Sequence, residues 1–227
     1  MTREFSDIQE IDHLNHQMPP PVRQRFAECG MEHVAARGNT RVLEQRLLAF
    51  FCSFQCPGNL ILETYDLARE LRKAGVGVIG GFHSPMEKEC LELLLRGSQP
   101  VIICPAREIY RMRVPKLWKE PLQAGRLLIL SPFAENQRRM TAELALQRNR
   151  FVAQLADEVF AAHAAAGSKT LSFCRELLGA DKPVLTIQRP ENSTLLELGA
   201  EPLAVKNAST RWPFHPKEAK PDRKVKR

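Results

Sequence analysis

From residue 46 onward, short apolar runs alternate with longer stretches in which apolar residues recur every three or four positions. The first run, "RLLAFFCSF" (46–54), is continuous and ends at the turn signal "CPGN". An uninterrupted run of this kind predicts a strand covered on both faces, as in a parallel sheet. "LILETYDLARELRKAG" (60–75) follows, with Leu60, Tyr65, Leu67, Ala68 and Leu71 at helical spacing and a closing Lys-Ala-Gly that stops a helix. The alternation continues with a strand over 76–82, ending in paired glycines. Next comes a helix over 85–97, with proline in its first turn and glycine at its end. Strands are predicted over 99–106 and 125–133. A helix over 141–157, whole or in two pieces, leads to a strand over 158–164, a helix over 168–181 and a last strand over 182–187.

This order predicts an α/β fold: a Rossmann-like open, mostly parallel sheet with helices on both faces and right-handed crossovers. Ligands of such sheets bind outside the carboxyl ends of the strands. The expected functional edge is therefore Cys52–Asn59, Gly80–Pro85, Pro105–Arg107, Ser131–Phe133 and Ala164–Thr170. Residues 1–40 form a polar, partly helical lead-in interrupted by "MPPPV" at 18–22, whose prolines cannot lie inside a helix. The expected division is this lead-in, a Rossmann-like domain over 41–205, and a tail over 206–227 that is rich in proline and charge and is expected to be disordered.

Composition narrows the classes. The 227 residues are 44% hydrophobic, enough for one substantial core. No run of 18 apolar residues occurs, and the N-terminus has no apolar signal core, so the reading is a cytoplasmic protein that does not enter a membrane. The six cysteines are scattered. The Cys52/Cys56 pair lacks a second pair to complete a zinc site, which leaves reduced, mostly buried thiols and no metal. The net charge is +7, but residues 206–227 hold eight Lys/Arg against two acids, leaving 25 bases and 24 acids elsewhere. An anion site in the body must therefore come from local clustering.

Three segments offer such clustering. In "AAAGSKT" (164–170), Gly167, Ser168, Lys169 and Thr170 open a helix whose N–H groups and dipole suit a phosphate. The first glycine of a nucleotide-triphosphatase loop is absent, so that activity is rejected; a plain Ser-capped helix is the bland alternative. In "GGFHSP" (80–85), Gly80 and Gly81 permit close approach of a ligand or serve a tight turn, and His83 is a lone imidazole with no identifiable nucleophile. In "RNR" (148–150), Arg148 and Arg150 suit bidentate contact with phosphate, or are solvated helix-face charges. No HExxH, GxSxG or dinucleotide-binding GxGxxG pattern occurs, no catalytic residue is assigned and no cofactor is expected.

In this order, these segments resemble the Rossmann-like domain of the DprA/Smf DNA-processing proteins, and more loosely the lysine-decarboxylase-like LOG proteins. "RNRFVAQLADEVFAAHA" is similar to the family's R-N-R-I-I-A-G-L-S-D-x-V-x-V-V-E-A, and "GSKT" follows where the family opens a helix. "GGFHSPMEKEC" stands at S-G-x-A-x-G-I-D-x-x-A, "ARGNTRVLEQRLLAFFCS" at the lead-in and first strand, and "LLELGAEPL" at the closing segment, so the likeness spans roughly 36–205. Where the family carries Gly-Ser-Arg, this chain has Cys52-Ser53-Phe54, so of that phosphate-binding turn only Ser53 remains. Gly-Ile-Asp is replaced by Pro85-Met86-Glu87, and a basic tail stands where many members have a winged helix.

The resemblance implies single-stranded DNA binding along the strand edge, homodimer formation and a recombinase partner. Phosphate contacts fall to Ser53, Gly80, Gly81, His83, Arg148, Arg150, Gly167, Ser168, Lys169 and Thr170. The same edge could instead hold one nucleotide and regulate a toxin-like effector. A LOG-type hydrolase ranks last, because its P-G-G-x-G-T loop is missing. The expectation taken forward is a non-enzymatic DNA-binding protein in which Arg148, Arg150 and the 167–170 turn meet one ligand.

Overall fold

The computed structural model describes residues 8–12, 20–29 and 33–212. The elements in order are β1 (Ile8–Asp12), α1 (Pro20–Glu28), β2 (His33–Gly38), β3 (Leu47–Phe51), α2 (Gly58–Lys73), β4 (Gly77–Gly80), α3 (Pro85–Leu95), β5 (Val101–Ile103) and α4 (Lys116–Gln123). They continue with β6 (Leu127–Ser131), α5 (Ala142–Leu155), β7 (Glu158–Ala161), α6 (Lys169–Gly179), β8 (Val184–Ile187), α7 (Ser193–Glu197), β9 (Glu201–Leu203) and α8 (Ala208–Arg211). All nine strands form one sheet in the order β1-β2-β6-β5-β4-β3-β7-β8-β9. From β6 to β9 every pairing is parallel, while β1 with β2 and β2 with β6 are antiparallel. The Rossmann-like architecture expected from the sequence is therefore present.

The apolar runs become strands because both faces are covered. In β3, Leu47, Ala49 and Phe51 join one core while Leu48 and Phe50 join the other, and all five are buried. On the first face Phe151 of α5 meets Phe26 of α1, and Phe173 of α6 meets Phe51 edge-on at 5.3 Å. On the second, Phe50 packs on Phe160 and Phe82 beneath α2 and α3. The strand order reverses direction between β3 and β7. There the crossover helix α5 carries the chain back across β4 and β3, so the exits of β3 and β7 define the switch point where ligands of such sheets lie.

The edges of the sheet differ from the sequence reading. Residues 8–12 and 33–38 of the lead-in are strands that extend the sheet beyond β6. Helix α4 forms despite its internal Pro121. Segment 142–155 is one helix. The first residues of the supposed tail are folded: the Glu158 carboxylate, 5% exposed, accepts from Arg46 at 2.9 Å, from the Arg211 Nη2 at 2.5 Å and from the Trp212 indole at 2.6 Å. Glu158 opens β7, so Trp212 sits at the amino edge of the sheet, opposite the strand exits. The disorder expected beyond residue 212 lies outside the described residues.

Glu158→Ala leaves the Trp212 indole and the Arg46 guanidinium without their acceptor, while Arg211 keeps Glu201 at 2.9 Å. The expected loss is about 2–3 kcal/mol, at the low end of what breaking a buried pair costs because Arg46 is half exposed. Urea unfolding should show a lowered midpoint; an unchanged midpoint would mean that α8 is not held by this carboxylate.

Candidate functional site

The strand exits are organised by one carboxylate. Ser84 caps α3, its hydroxyl accepting from the Glu87 N–H, and Glu87 reaches back to the Ser84 N–H at 3.0 Å, a reciprocal capping box. The same carboxylate accepts from His83 N–H at 2.7 Å and, across the sheet, from Cys52 N–H at 2.8 Å. Glu87, 6% exposed, therefore ties the exit of β3 to the exit of β4. Between them Phe82 holds φ at +47°, a left-handed conformation rare for a bulky residue, with its ring buried against Phe50. Strain of this kind persists where the surroundings over-determine it, and it gathers at functional sites.

A cleft of about 680 Å³ opens at the switch point, between α5, the first turns of α6 and the exits of β3 and β4. Phe54, Leu146, Gly81, His83, Arg148, Gly167, Lys169 and Thr170 are on its wall. Arg148 is 5% exposed, and its Nη1 donates to the Cys104 carbonyl at 2.9 Å and its Nε to Asn149 at 2.8 Å. Gly81 makes the room, since a Cβ there would lie 1.5 Å from Arg148 Nη1. Burial pulls the Arg148 guanidinium below its ordinary value, and the nearby Glu87 charge opposes that pull. A guanidinium stays protonated throughout. Among the described residues no carboxylate pairs with Arg148 or Lys169. Three carboxylates share the wall: Glu87, Glu143 and Glu176. Glu87 is committed to backbone N–H groups, and Glu176 to Arg150.

The residues expected to act together do not all meet here. Arg150 lies outside the cleft, two positions along α5 from Arg148, and two such positions face away from each other. It clamps Glu176 with Nε at 2.7 Å and Nη2 at 2.9 Å. The idea that Arg148 and Arg150 share one ligand is corrected on this ground. Ser53 is 2% exposed; its hydroxyl accepts from Ala165 N–H at 3.1 Å and donates to Ser168 Oγ at 3.2 Å, stitching the β3 exit to the β7 exit. Ser168 in turn caps α6 by accepting from Leu171 N–H. Gly80 is the buried end of β4. Ser53, Gly80 and Ser168 thus shape the site from behind its wall. Gly167, with φ at +71°, turns the chain into α6 in a conformation that favours glycine.

Sequence reasoning missed Glu87, although Ser84 followed three residues later by Glu87 is a capping-box signature. It also left Leu146 out of the site. Phe54 enters the sequence reading only as a departure from the Gly-Ser-Arg turn; it is 71% exposed at the cleft mouth, beside Leu146 at 37%. Among the described residues no cluster of three or more His, Cys, Asp or Glu is placed to hold a metal ion, and every described cysteine is free. No helix among them is long and apolar enough to cross a membrane.

A doubly wound sheet whose switch-point cleft carries Arg148 and Lys169 without ion-pair partners among the described residues is the frame of a site for an anionic, nucleotide-type ligand. The family follows from comparison. Residues 20–211 match the family model of DNA recombination-mediator protein A, and the chain belongs to that family. Its fold is similar to DNA processing protein A from Streptococcus pneumoniae, with 17% identity, TM-score 0.72, and 93% of this chain and 77% of that one covered. It is similar also to DNA processing protein A from Helicobacter pylori, solved for its single-stranded DNA binding mode: 21% identity, TM-score 0.70, 92% and 98% covered. A molybdenum cofactor binding protein from Rippkaea orientalis shares the fold more loosely, with 13% identity, TM-score 0.52, and 74% and 94% covered. Among curated proteins none matches the sequence significantly.

Two outcomes are expected of the site itself. Gly81→Ala should displace the Arg148 guanidinium rather than the backbone, at about 1.5–3 kcal/mol, the worth of a hydrogen bond involving a charged group. Combined with Arg148→Ala in urea unfolding it should add little; additive costs would show that the glycine serves another purpose. Arg150, as hydrogen-bond partner, holds the Glu176 carboxyl below the usual carboxylate range. Arg150→Ala should return it upward in an NMR titration, so that Glu176 takes its proton at higher pH; an unmoved titration would deny the clamp in solution.

Proposed function

We propose that the switch-point cleft binds single-stranded DNA without performing chemistry on it. The observation that carries this reading is Arg148, a buried cation on the cleft wall with no carboxylate partner among the described residues. A buried charge is costly unless met by an opposite one, and a phosphate entering the cleft would meet it. Lys169 and the N–H groups opening α6 add attraction from the other wall. Phe54 offers an exposed ring on which a base stacks, standing where the family has its phosphate-binding arginine. Family membership and the printed binding mode of the Helicobacter pylori protein support the choice of ligand.

Two candidate nucleophiles at the strand exits, Cys52 and Ser53, are otherwise engaged. The Cys56 thiol as hydrogen-bond partner, together with burial, pushes the Cys52 thiol far above the ordinary range, so no thiolate faces the cleft from that position. The Ser53 hydroxyl is occupied by Ala165 and Ser168, and His163 is turned to Asn192 at 3.0 Å. We place the protein in the cytoplasm as a homodimer that presents DNA to a recombinase. The second reading, a single nucleotide held as a regulatory signal for an effector protein, draws on the cleft volume of about 680 Å³, which lies within the range of small-molecule pockets.

Fluorescence anisotropy with a labelled oligothymidylate separates these. Phe54→Ala should cost about 1–3 kcal/mol of affinity. Lys169→Ala should lower the slope of log affinity against log salt by about 0.7. Arg150→Ala and a chain ending at Trp212 should bind nearly as the full protein does. Binding lost with the tail but untouched by Phe54→Ala and Lys169→Ala would refute the cleft. Tight binding of a mononucleotide with none of the oligonucleotide would establish the second reading.

A further inference from the structure

A second cleft, of about 560 Å³, adjoins the first at the exits of β4 and β5, and Gly81, His83 and Arg148 belong to both walls. Its far side is formed by Trp118, Leu117 and Met140; Leu117 and Met140 are 49% and 46% exposed. Lys88 and Arg107 bring positive charge to the rim, against one carboxylate, Glu92. Ridge and trough thus run along one edge of the sheet, with the Arg148 side chain as the divide.

The two loops that frame this cleft, 104–115 and 132–141, carry a cationic surface. Arg107, Arg111, Arg113, Arg138 and Arg139 are all exposed, and none makes an ion pair among the described residues. Two acids share the loops. Glu108 is buried and accepts from the Arg111 N–H at 3.2 Å, which leaves Glu135 as the exposed one. Elsewhere among the described residues the exposed arginines are split: Arg46, Arg69, Arg150 and Arg189 are ion-paired, while Arg41, Arg96 and Arg175 stand singly and far apart in sequence. The loops are laced together: Glu108 N–H donates to the Gln137 carbonyl at 2.9 Å, Ser131 Oγ to the Arg107 carbonyl at 2.8 Å, and Arg37 to the Met112 carbonyl at 3.2 Å. The charges are therefore held on a built surface.

We infer that this second cleft and its arginine loops form a further station for the same single strand, so that the ligand is a polymer crossing from one cleft to the next over Arg148. The inference rests on the reading of the switch-point cleft given above and fixes the class of its ligand. An aromatic and a thioether wall flanked by unpaired arginines is the chemistry of base stacking beside a phosphate track. A mononucleotide in the first cleft would leave the loops' charge unused. An acidic protein segment would be drawn by the same arginines, and the test separates it.

The experiment compares two labelled oligothymidylates, one of about 4 nucleotides and one of about 16, the span of known single-strand site sizes. Trp118→Ala and the double substitution Arg138→Ala/Arg139→Ala are measured with the full-length wild type by anisotropy at two or more salt concentrations. Their folding is checked by thermal melting. The long strand should bind more tightly than the short one. Both variants should weaken the long strand about ten-fold or more and leave the short one unchanged. The arginine pair should also lower the salt slope for the long strand by about 1.4. If the wild type binds the short strand but the long one gains nothing, or if both variants bind the long strand as wild type does, the second station is refuted while the first cleft stands. Loss of both strands alike in these variants refutes it too. If the wild type binds neither strand, the switch-point reading falls and takes this inference with it.

Discussion

One carboxylate sets the geometry on which the site depends. Glu87 receives N–H groups from Cys52, His83 and Ser84, and so binds together two strand exits, those of β3 and β4, that the sheet alone would leave separate. With the exit of β3 fixed to the start of α3, Phe82 can be held in its left-handed conformation, Gly81 is presented bare, and Arg148 fills the space a side chain would take. The buried negative charge of Glu87 also softens the cost of burying Arg148 nearby without becoming its ion-pair partner. The guanidinium is thus kept in place and still available to an anion.

The resulting edge has an order to it. Behind the wall, Ser53, Ser168 and the turn through Gly167 join the exits of β3 and β7. On the wall stand a buried arginine, an exposed lysine and an exposed phenylalanine. At the opposite edge Glu158 holds Arg211 and Trp212. Local clustering at the strand exits, rather than the net charge of +7, is what the fold offers an anionic ligand. In the proposed reading Phe54 would offer stacking at the turn after β3.

Much of this was legible because parallel strands announce themselves. Leu47–Phe51, Val101–Ile103 and Leu127–Ser131 are apolar throughout since both their faces are covered, and their exits fall on one edge by topology. The edge strands were not legible. His33–Gly38 mixes charge with alanine, and Glu201–Leu203 is three residues with a central proline, so neither carries a period. Helix α4 was hidden by Pro121. In the site, the turn glycines and Arg148 were visible as residues, but their relation was not: that Gly81 exists to admit Arg148 depends on two segments meeting across 67 positions of chain. Arg150 was drawn in by proximity in sequence, when helical geometry points it away.

The central claim is that single-stranded DNA lies over the exits of β3 and β7. The measurement that meets it most directly is photo-crosslinking of the full-length protein to a thiothymidine-substituted oligonucleotide, with the crosslinked peptides identified by mass spectrometry. The account predicts adducts on the peptide carrying Phe54, and their loss when excess unlabelled single strand is added. Adducts confined to residues beyond Trp212, or to the amino edge around Glu158, would contradict it.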